Sequence, residues 1–138
     1  ISTILGLDRE YKMVIVGTGN LGQALANYTK YYKLGFPIIG MFDVNPKIIG
    51  LRINDIEVMD SENLLDFLNS NHVDIGIITT DKAAAQSVAD KLVEGGVRGI
   101  WNFAPCDLKV PKNVPVENVH VTDTLNSLVY HIIHAEDD

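Results

Sequence analysis

Short apolar runs alternate along the chain with longer stretches whose apolar residues recur every three or four positions. Lys12 to Val16 is rich in β-branched residues and stops at Gly17, which predicts a strand and a tight turn. From Asn20 to about Tyr32, Leu21, Ala24, Leu25 and Tyr28 fall at helical spacing. Pro37 to Phe42 predicts a second buried strand, closed by Asp43 and the loop signal Asn45-Pro46, and Ile56 to Met59 a brief third. Ser61 is placed to cap a helix with Leu64, Leu65 and Leu68 on one face, fraying around Asn69 to His72. Asp74 to Thr79 reads as a strand; Asp81 then stands at an N-cap position, with Ala85, Val88, Ala89 and Leu92 as a buried stripe and Gly95-Gly96 as a left-handed stop. Arg98 to Phe103 is the next strand. Ala104 to Val116, with three prolines and two lysines, is an irregular connection, and Val119 to Val121 extends once more. Thr122 to His134 closes the chain as an amphipathic helix with Leu125, Leu128, Val129, Ile132 and Ile133 on one side.

Strands alternating with helices through short loops predict a parallel sheet covered on both faces, a doubly wound α/β fold of Rossmann type. The chain has 138 residues with no internal repeat or dividing linker, so 1–138 reads as one domain. Hydrophobic residues at 46% and charged residues at 21% exclude disorder, and no apolar run approaches the roughly 20 residues a membrane helix needs. The net charge of −7 has the wrong sign for gripping a phosphate backbone, so the chain alone is not expected to hold DNA or RNA. The single cysteine, Cys106, excludes an internal disulfide and a multi-cysteine zinc site, and no signal peptide opens the chain; a cytoplasmic protein is expected. Because the sequence starts at Ile1, translation is expected to begin further upstream.

Gly17-Thr18-Gly19-Asn20-Leu21-Gly22 is a G-x-G-x-x-G between a predicted strand and a predicted helix. The first glycine permits the turn, the second lets the backbone approach a pyrophosphate, and the third lets helix pack on strand. Free N–H groups and the helix dipole then face the phosphates. Asp43 ends the next strand, 26 residues after Gly17, a little beyond the roughly 20 expected for the acid that accepts the ribose hydroxyls. Val44-Asn45-Pro46 offers no Arg to a 2′-phosphate, although Lys47 is close, which favours NADH and NAD⁺ over NADP(H). Thr79-Thr80 and Asn102-Phe103-Ala104-Pro105 follow two further strands at their carboxyl ends, where open α/β sheets bind ligands, and are candidates for the nicotinamide side. The plainer reading makes these segments an N-cap and a proline-terminated strand. No acid–base pair or Ser-His-Asp pattern stands out, Cys106 has no adjacent base, and His131 and His134 lack further metal ligands; neither catalytic nor metal residues are expected.

Gly17 to Tyr28, Phe42-Asp43-Val44-Asn45-Pro46-Lys47-Ile48-Ile49-Gly50, Ala84-Ala85-Gln86-Ser87-Val88-Ala89-Asp90 and Gly99-Ile100-Trp101-Asn102-Phe103-Ala104-Pro105 together resemble the Rex family of redox-sensing transcriptional repressors. The resemblance runs from about Tyr11 to Ile133 and covers only that family's carboxyl-terminal, dinucleotide-binding half. It implies a homodimer that weighs NADH against NAD⁺, NADH releasing operator DNA held through an N-terminal winged-helix domain absent from this chain. It also implies that the last helix, with Leu125, Leu128 and Ile132, is exchanged between subunits; packing against its own sheet is the alternative. The resemblance further makes Tyr28 part of a ligand-dependent switch with an aspartate of the other subunit. Here that position, within Asn118-Val119-His120-Val121, is His120. An imidazole accepts a hydrogen bond only while neutral, so the redox response is expected to weaken as pH falls through about 6.5. A flat NADH affinity between about pH 6 and pH 8 would contradict that expectation. Thr80-Asp81 also departs from the family's common Val-Pro.

A ligand-controlled repressor therefore leads, since the chain offers a dinucleotide site but no substrate domain. The alternatives are the cofactor domain of an NAD-dependent dehydrogenase and a coenzyme A binding module, which share the fold without sharing the function. Asp43 opposes the second, because a carboxylate repels the phosphate on the ribose of CoA.

Overall fold

Four consecutive apolar residues bury themselves only in a strand covered on both faces, and Met13–Val16 (β1), wholly buried, is the central strand of the sheet. The computed structural model describes residues 10–17, 22, 35–119 and 128–135. Ile38–Asp43 (β2), Arg52–Ile53 (β3), Ile56–Asp60 (β4), Ile75–Ile78 (β5), Gly99–Asn102 (β6) and Val116–Asn118 (β7) complete a seven-stranded sheet in the order β3-β4-β2-β1-β5-β6-β7. All neighbours are parallel except β3 and β4. The sheet grows outward from β1 in both directions, first through β2 and then through β5. The reversal lies between β1 and β5, whose register runs Met13↔Ile75 to Val16↔Ile78. A doubly wound α/β fold binds ligands at that point.

Two helices are described in full. Leu64–Ser70 (α1) buries Leu64 and Leu68, with Leu65 half-buried, and follows a single 3₁₀ turn at Ser61–Asn63. The cap is Asp60 and not Ser61: the Asp60 carboxylate accepts the Glu62 N–H at 3.0 Å. Asp is as good a cap as Ser, and the end of β4 already holds Asp60 in the extended conformation a cap requires. Lys82–Glu94 (α2) is capped by Asp81, whose Oδ1 accepts the Ala84 N–H at 3.0 Å. Ala85, Val88, Ala89 and Leu92 are all buried, as the periodicity predicts. Gly96, at φ +89°, ends α2 in a Schellman motif, with Gly96 N donating to Val93 O and Val97 N to Leu92 O, each at 3.1 Å.

The core has two halves. Val14, Val16, Phe42 and Ile78 meet Leu64, Leu68, Ala85, Ala89 and Leu92 on the face that α1 and α2 cover. Met13, Ile15, Met41, Val58 and Ile77 form the other half, flanked by Phe36, Trp101 and Phe103. On this second face an apolar cavity of about 410 Å³ is bordered by Met13, Phe36, Ile75, Trp101 and Pro115.

Two outer strands depart from the pattern-based expectation. β3 and β4 form a hairpin through Asn54 and Asp55, both at positive φ (51° and 67°), which gives the turn the twist the flanking strands need. β7 occupies Val116–Asn118, because Pro115 O accepts the Ile100 N–H and starts the pairing with β6 there; of the extended segment read at Val119 to Val121, Val119 follows the strand and 120–121 lie outside the described residues. Residues 128–135 are helical, as expected for the end of the chain; 122–127 lie outside the described residues.

Candidate functional site

At the carboxyl edge of β1, Gly17 turns with φ +96° and donates its N–H to Phe42 O at 2.7 Å. Its carbonyl accepts the Thr79 hydroxyl, which also reaches Val16 O at 3.2 Å. A β-carbon on Gly17 would stand 2.9 Å from Thr79 C and from Thr80 N. One on Gly22 would stand 2.3 Å from Gly17 O. Both glycines are therefore sterically obligatory: the turn is pressed against the segment after β5, and the helical residue Gly22 is pressed against the turn. Thr18, Gly19, Asn20 and Leu21, the rest of the motif, lie outside the described residues.

The pressed turn borders a cleft of about 360 Å³ that collects Gly17 from β1, Asp43 and Val44 from β2, and Thr79 and Thr80 from β5. Asp43 is half-buried at the strand end, and its Oδ1 accepts the Val44 and Asn45 N–H groups at 2.7 and 3.0 Å. These bonds fix the carboxylate against the cleft before any ligand arrives. Val44 itself is 77% exposed. Asp81, the α2 cap, supplies a second carboxylate to the lining, and Lys91 is its only cation among the described residues. Two carboxylates against one ammonium favour hydroxyl donors and disfavour an additional phosphate. Ser61, Ser87 and Lys91 are cleft residues that sequence reasoning did not assign to a ligand site, Ser61 being read there as a helix cap. Ser87 and Lys91 stand four apart on α2, beside the buried stripe Ala85-Val88-Ala89-Leu92, and that adjacency was the available signal.

Asn102, Phe103, Ala104 and Pro105 lie at the same edge but one strand further out, beyond the cleft that Asp43 faces. Phe103 is half-buried and lies against Trp101, with centroids 4.8 Å apart and the rings tilted by 57°; Pro105 is exposed. Asn102 differs from the expectation that it faces a ligand. Its side chain is fully buried and its amide is engaged by Ala104, Cys106 and Asn118, so it holds the turn from within.

Of the expected switch and dimer residues, Tyr28, His120, Val121 and Leu125 lie outside the described residues. Leu128 and Ile132 are 56% and 48% exposed, and Val129, Tyr130 and Ile133 beside them are also open. His131 and His134 contact only the Tyr130 ring among the interactions described, and no cluster of three metal-ligating side chains occurs among the described residues. Cys106 is a half-buried free thiol.

A sheet reversing beside a β-carbon-free turn, with a carboxylate fixed at the end of the neighbouring strand, defines a Rossmann-type nucleotide-binding domain. The chain belongs to the CoA binding domain family, which it matches over residues 8–106. Within that breadth it is similar to the redox-sensing transcriptional repressor Rex of Clostridium botulinum (strain Eklund 17B / Type B), with 55% identity over 96% of this chain and 63% of the relative. It is also similar to the Rex-family repressor RSP. RSP solved with β-NADH matches at 51% identity and a TM-score of 0.90, over 98% of this chain and 66% of RSP. RSP solved with β-NAD⁺ and operator DNA matches at 51% identity and a TM-score of 0.91, over 98% and 62%. The resemblance to Rex drawn from the residues is met, and the chain spans less than two thirds of these relatives' length.

Proposed function

We propose that this chain is the dinucleotide-sensing and dimerisation domain of a Rex-type repressor, which reads NADH against NAD⁺ in the cytoplasm. In the full-length homodimer, NADH binding releases operator DNA, and an N-terminal winged-helix domain, within the third of the relatives' length that this chain does not span, holds the DNA. The observation that carries this reading is the cleft at the strand-order reversal, where Gly17 and Gly22 admit no β-carbon and Asp43 is already oriented. The named relatives are repressors and not enzymes, and the likeness to RSP with its two dinucleotides supports the same ligand here.

The residues divide the work by chemistry. The glycine motif that opens at Gly17 takes the pyrophosphate, and Asp43 accepts from the adenine ribose hydroxyls. The ligand's own contribution is a change of charge: the oxidised nicotinamide ring is cationic and the reduced ring neutral. Phe103, Ala104 and Pro105 offer that ring no neutralising charge, and an apolar surrounding favours the neutral form, so NADH binds more tightly than NAD⁺. The difference in binding free energy between the two states moves the DNA equilibrium, and no chemical step is needed.

Trp101 is the only tryptophan and lies two residues before Phe103, so its emission tests the reading. Reduced nicotinamide absorbs where tryptophan emits and the oxidised form does not. NADH is expected to quench Trp101 saturably at concentrations where NAD⁺ does not; no saturable quenching by NADH contradicts the reading.

The terminal helix supports the dimer. Leu128 and Ile132, with Val129 and Ile133, present an apolar strip that the single chain leaves in water, and a second copy is the occupant we propose, by helix exchange. Leu128→Glu with Ile132→Glu is expected to convert a dimer to a monomer in sedimentation at micromolar concentration. A wild-type chain that is already monomeric there contradicts the exchange.

A further inference from the structure

Asn102 makes an unusual number of bonds for one residue at the edge of a sheet. It is 0% exposed, and a buried amide is costly unless every polar atom is paired. Its Nδ2 donates to Asn118 Oδ1 at 2.9 Å, to Cys106 O at 3.1 Å and, more weakly, to Ala104 O at 3.3 Å. Its Oδ1 accepts the Ala104 N–H at 3.0 Å, and its backbone carbonyl accepts the Val119 N–H at 2.8 Å. One side chain thus holds Ala104 and Cys106 within the Phe103–Cys106 turn and, through Asn118, the last residue of β7. The middle of the same loop is clamped separately, because Gln86 on α2 donates to Lys109 O at 2.9 Å and accepts the Lys109 N–H at 2.8 Å. With Lys109 anchored to the helix that lines the cleft, a displacement of Phe103 or Ala104 is carried toward β7. The chain leaves β7 through Val119 directly into His120 and Val121.

We infer that Asn102, acting through its bond to Asn118, is a positioning residue that couples the Phe103–Pro105 turn, which the dinucleotide reading assigns to the nicotinamide side, to the segment leaving β7. This rests on the proposed dinucleotide reading, and it adds the route by which the ligand's redox state reaches the end of the chain. Asn102 is fully buried, so this role needs no direct contact between its side chain and the ligand. The Asn102–Asn118 bond makes the position of the turn and the position of Asn118 interdependent, so binding at one biases the other.

Asn118 is exposed, so it can be changed without opening the core. The test is calorimetric titration of NADH and NAD⁺ into the wild-type chain, Asn118→Ala and Asn118→Asp, with thermal melts of all three. Asn118→Ala removes the acceptor, and Asn118→Asp keeps an oxygen where Asn102 Nδ2 points. The expected result is a roughly tenfold smaller ratio of NADH to NAD⁺ affinity in Asn118→Ala, only a small fall in Tm because Nδ2 keeps Cys106 O and Ala104 O as acceptors, and a ratio restored in Asn118→Asp. A wild-type ratio in Asn118→Ala overturns the coupling alone, as does an equal loss of both affinities, which would mark a merely structural bond. A wild-type chain that binds the two dinucleotides alike overturns the redox reading and the coupling with it.

Discussion

Gly22→Ala lowers NADH affinity at least a hundredfold, about 2.7 kcal/mol in binding free energy. The reason is steric and local. The new β-carbon would sit 2.3 Å from Gly17 O and 3.3 Å from both Gly17 C and Thr79 Oγ1. The closest atom belongs to the backbone, so no side-chain rotation relieves the contact. Relief requires the Gly17 turn to lift away from the helix, and the turn is held from the other side by Gly17 N to Phe42 O and by the Thr79 hydroxyl on Gly17 O. Lifting it breaks those bonds and displaces the turn that the glycine motif assigns to the phosphates. The same overpacking costs the fold about 1–3 kcal/mol, so the Tm falls as well. Calorimetry with NADH alongside a thermal melt checks both effects; an affinity within twofold of wild type would mean that the turn tolerates what its geometry forbids.

Asp43→Asn is the second large effect, and it separates two jobs of one carboxylate. Oδ1 holds the Val44 and Asn45 N–H groups, and an amide oxygen can still do so. The negative charge is lost. Hydrogen bonds to a charged acceptor contribute about 1.5–3 kcal/mol, so NADH affinity is expected to fall by roughly tenfold to a hundredfold. NADPH, which the wild-type cleft repels, should fall less or gain, because one of two lining carboxylates has become neutral. The ratio of NADPH to NADH affinity therefore rises. An unchanged ratio would show that Asp43 does not face the ribose.

Much of this was legible in the sequence because the signals are local. A run such as Met13–Val16 has no other way to bury four apolar side chains, and the α2 stripe and its Asp81 cap are set by neighbours within one or two turns. The glycine spacing and Asp43 were readable for the same reason, since each describes a short stretch of backbone. What escaped depends on contacts between distant residues. The β3–β4 hairpin rests on Asn54 and Asp55 adopting positive φ, and that pair is a weaker turn signal than Asn-Gly or Asp-Gly. β7 at Val116–Asn118 went unread because its start is fixed by Pro115 meeting Ile100, a pairing across the irregular connection. Ser87 and Lys91 reach the cleft only once α2 is docked beside β1 and β5. Asn102 looked like a ligand contact from its place at a strand end; its burial and its bond to Asn118, 16 residues on, turn it inward.

The family description names coenzyme A and the close relatives are seen with NADH and NAD⁺, so ligand identity is where the account is most exposed. Calorimetric titration of this chain with NADH, NAD⁺, NADPH and CoA in turn is the most direct test. The account predicts that NADH binds tightest, NAD⁺ measurably more weakly, and CoA and NADPH poorly, their extra ribose phosphate repelled by Asp43 and Asp81. CoA binding more tightly than NADH, or NADH and NAD⁺ binding alike, would contradict it.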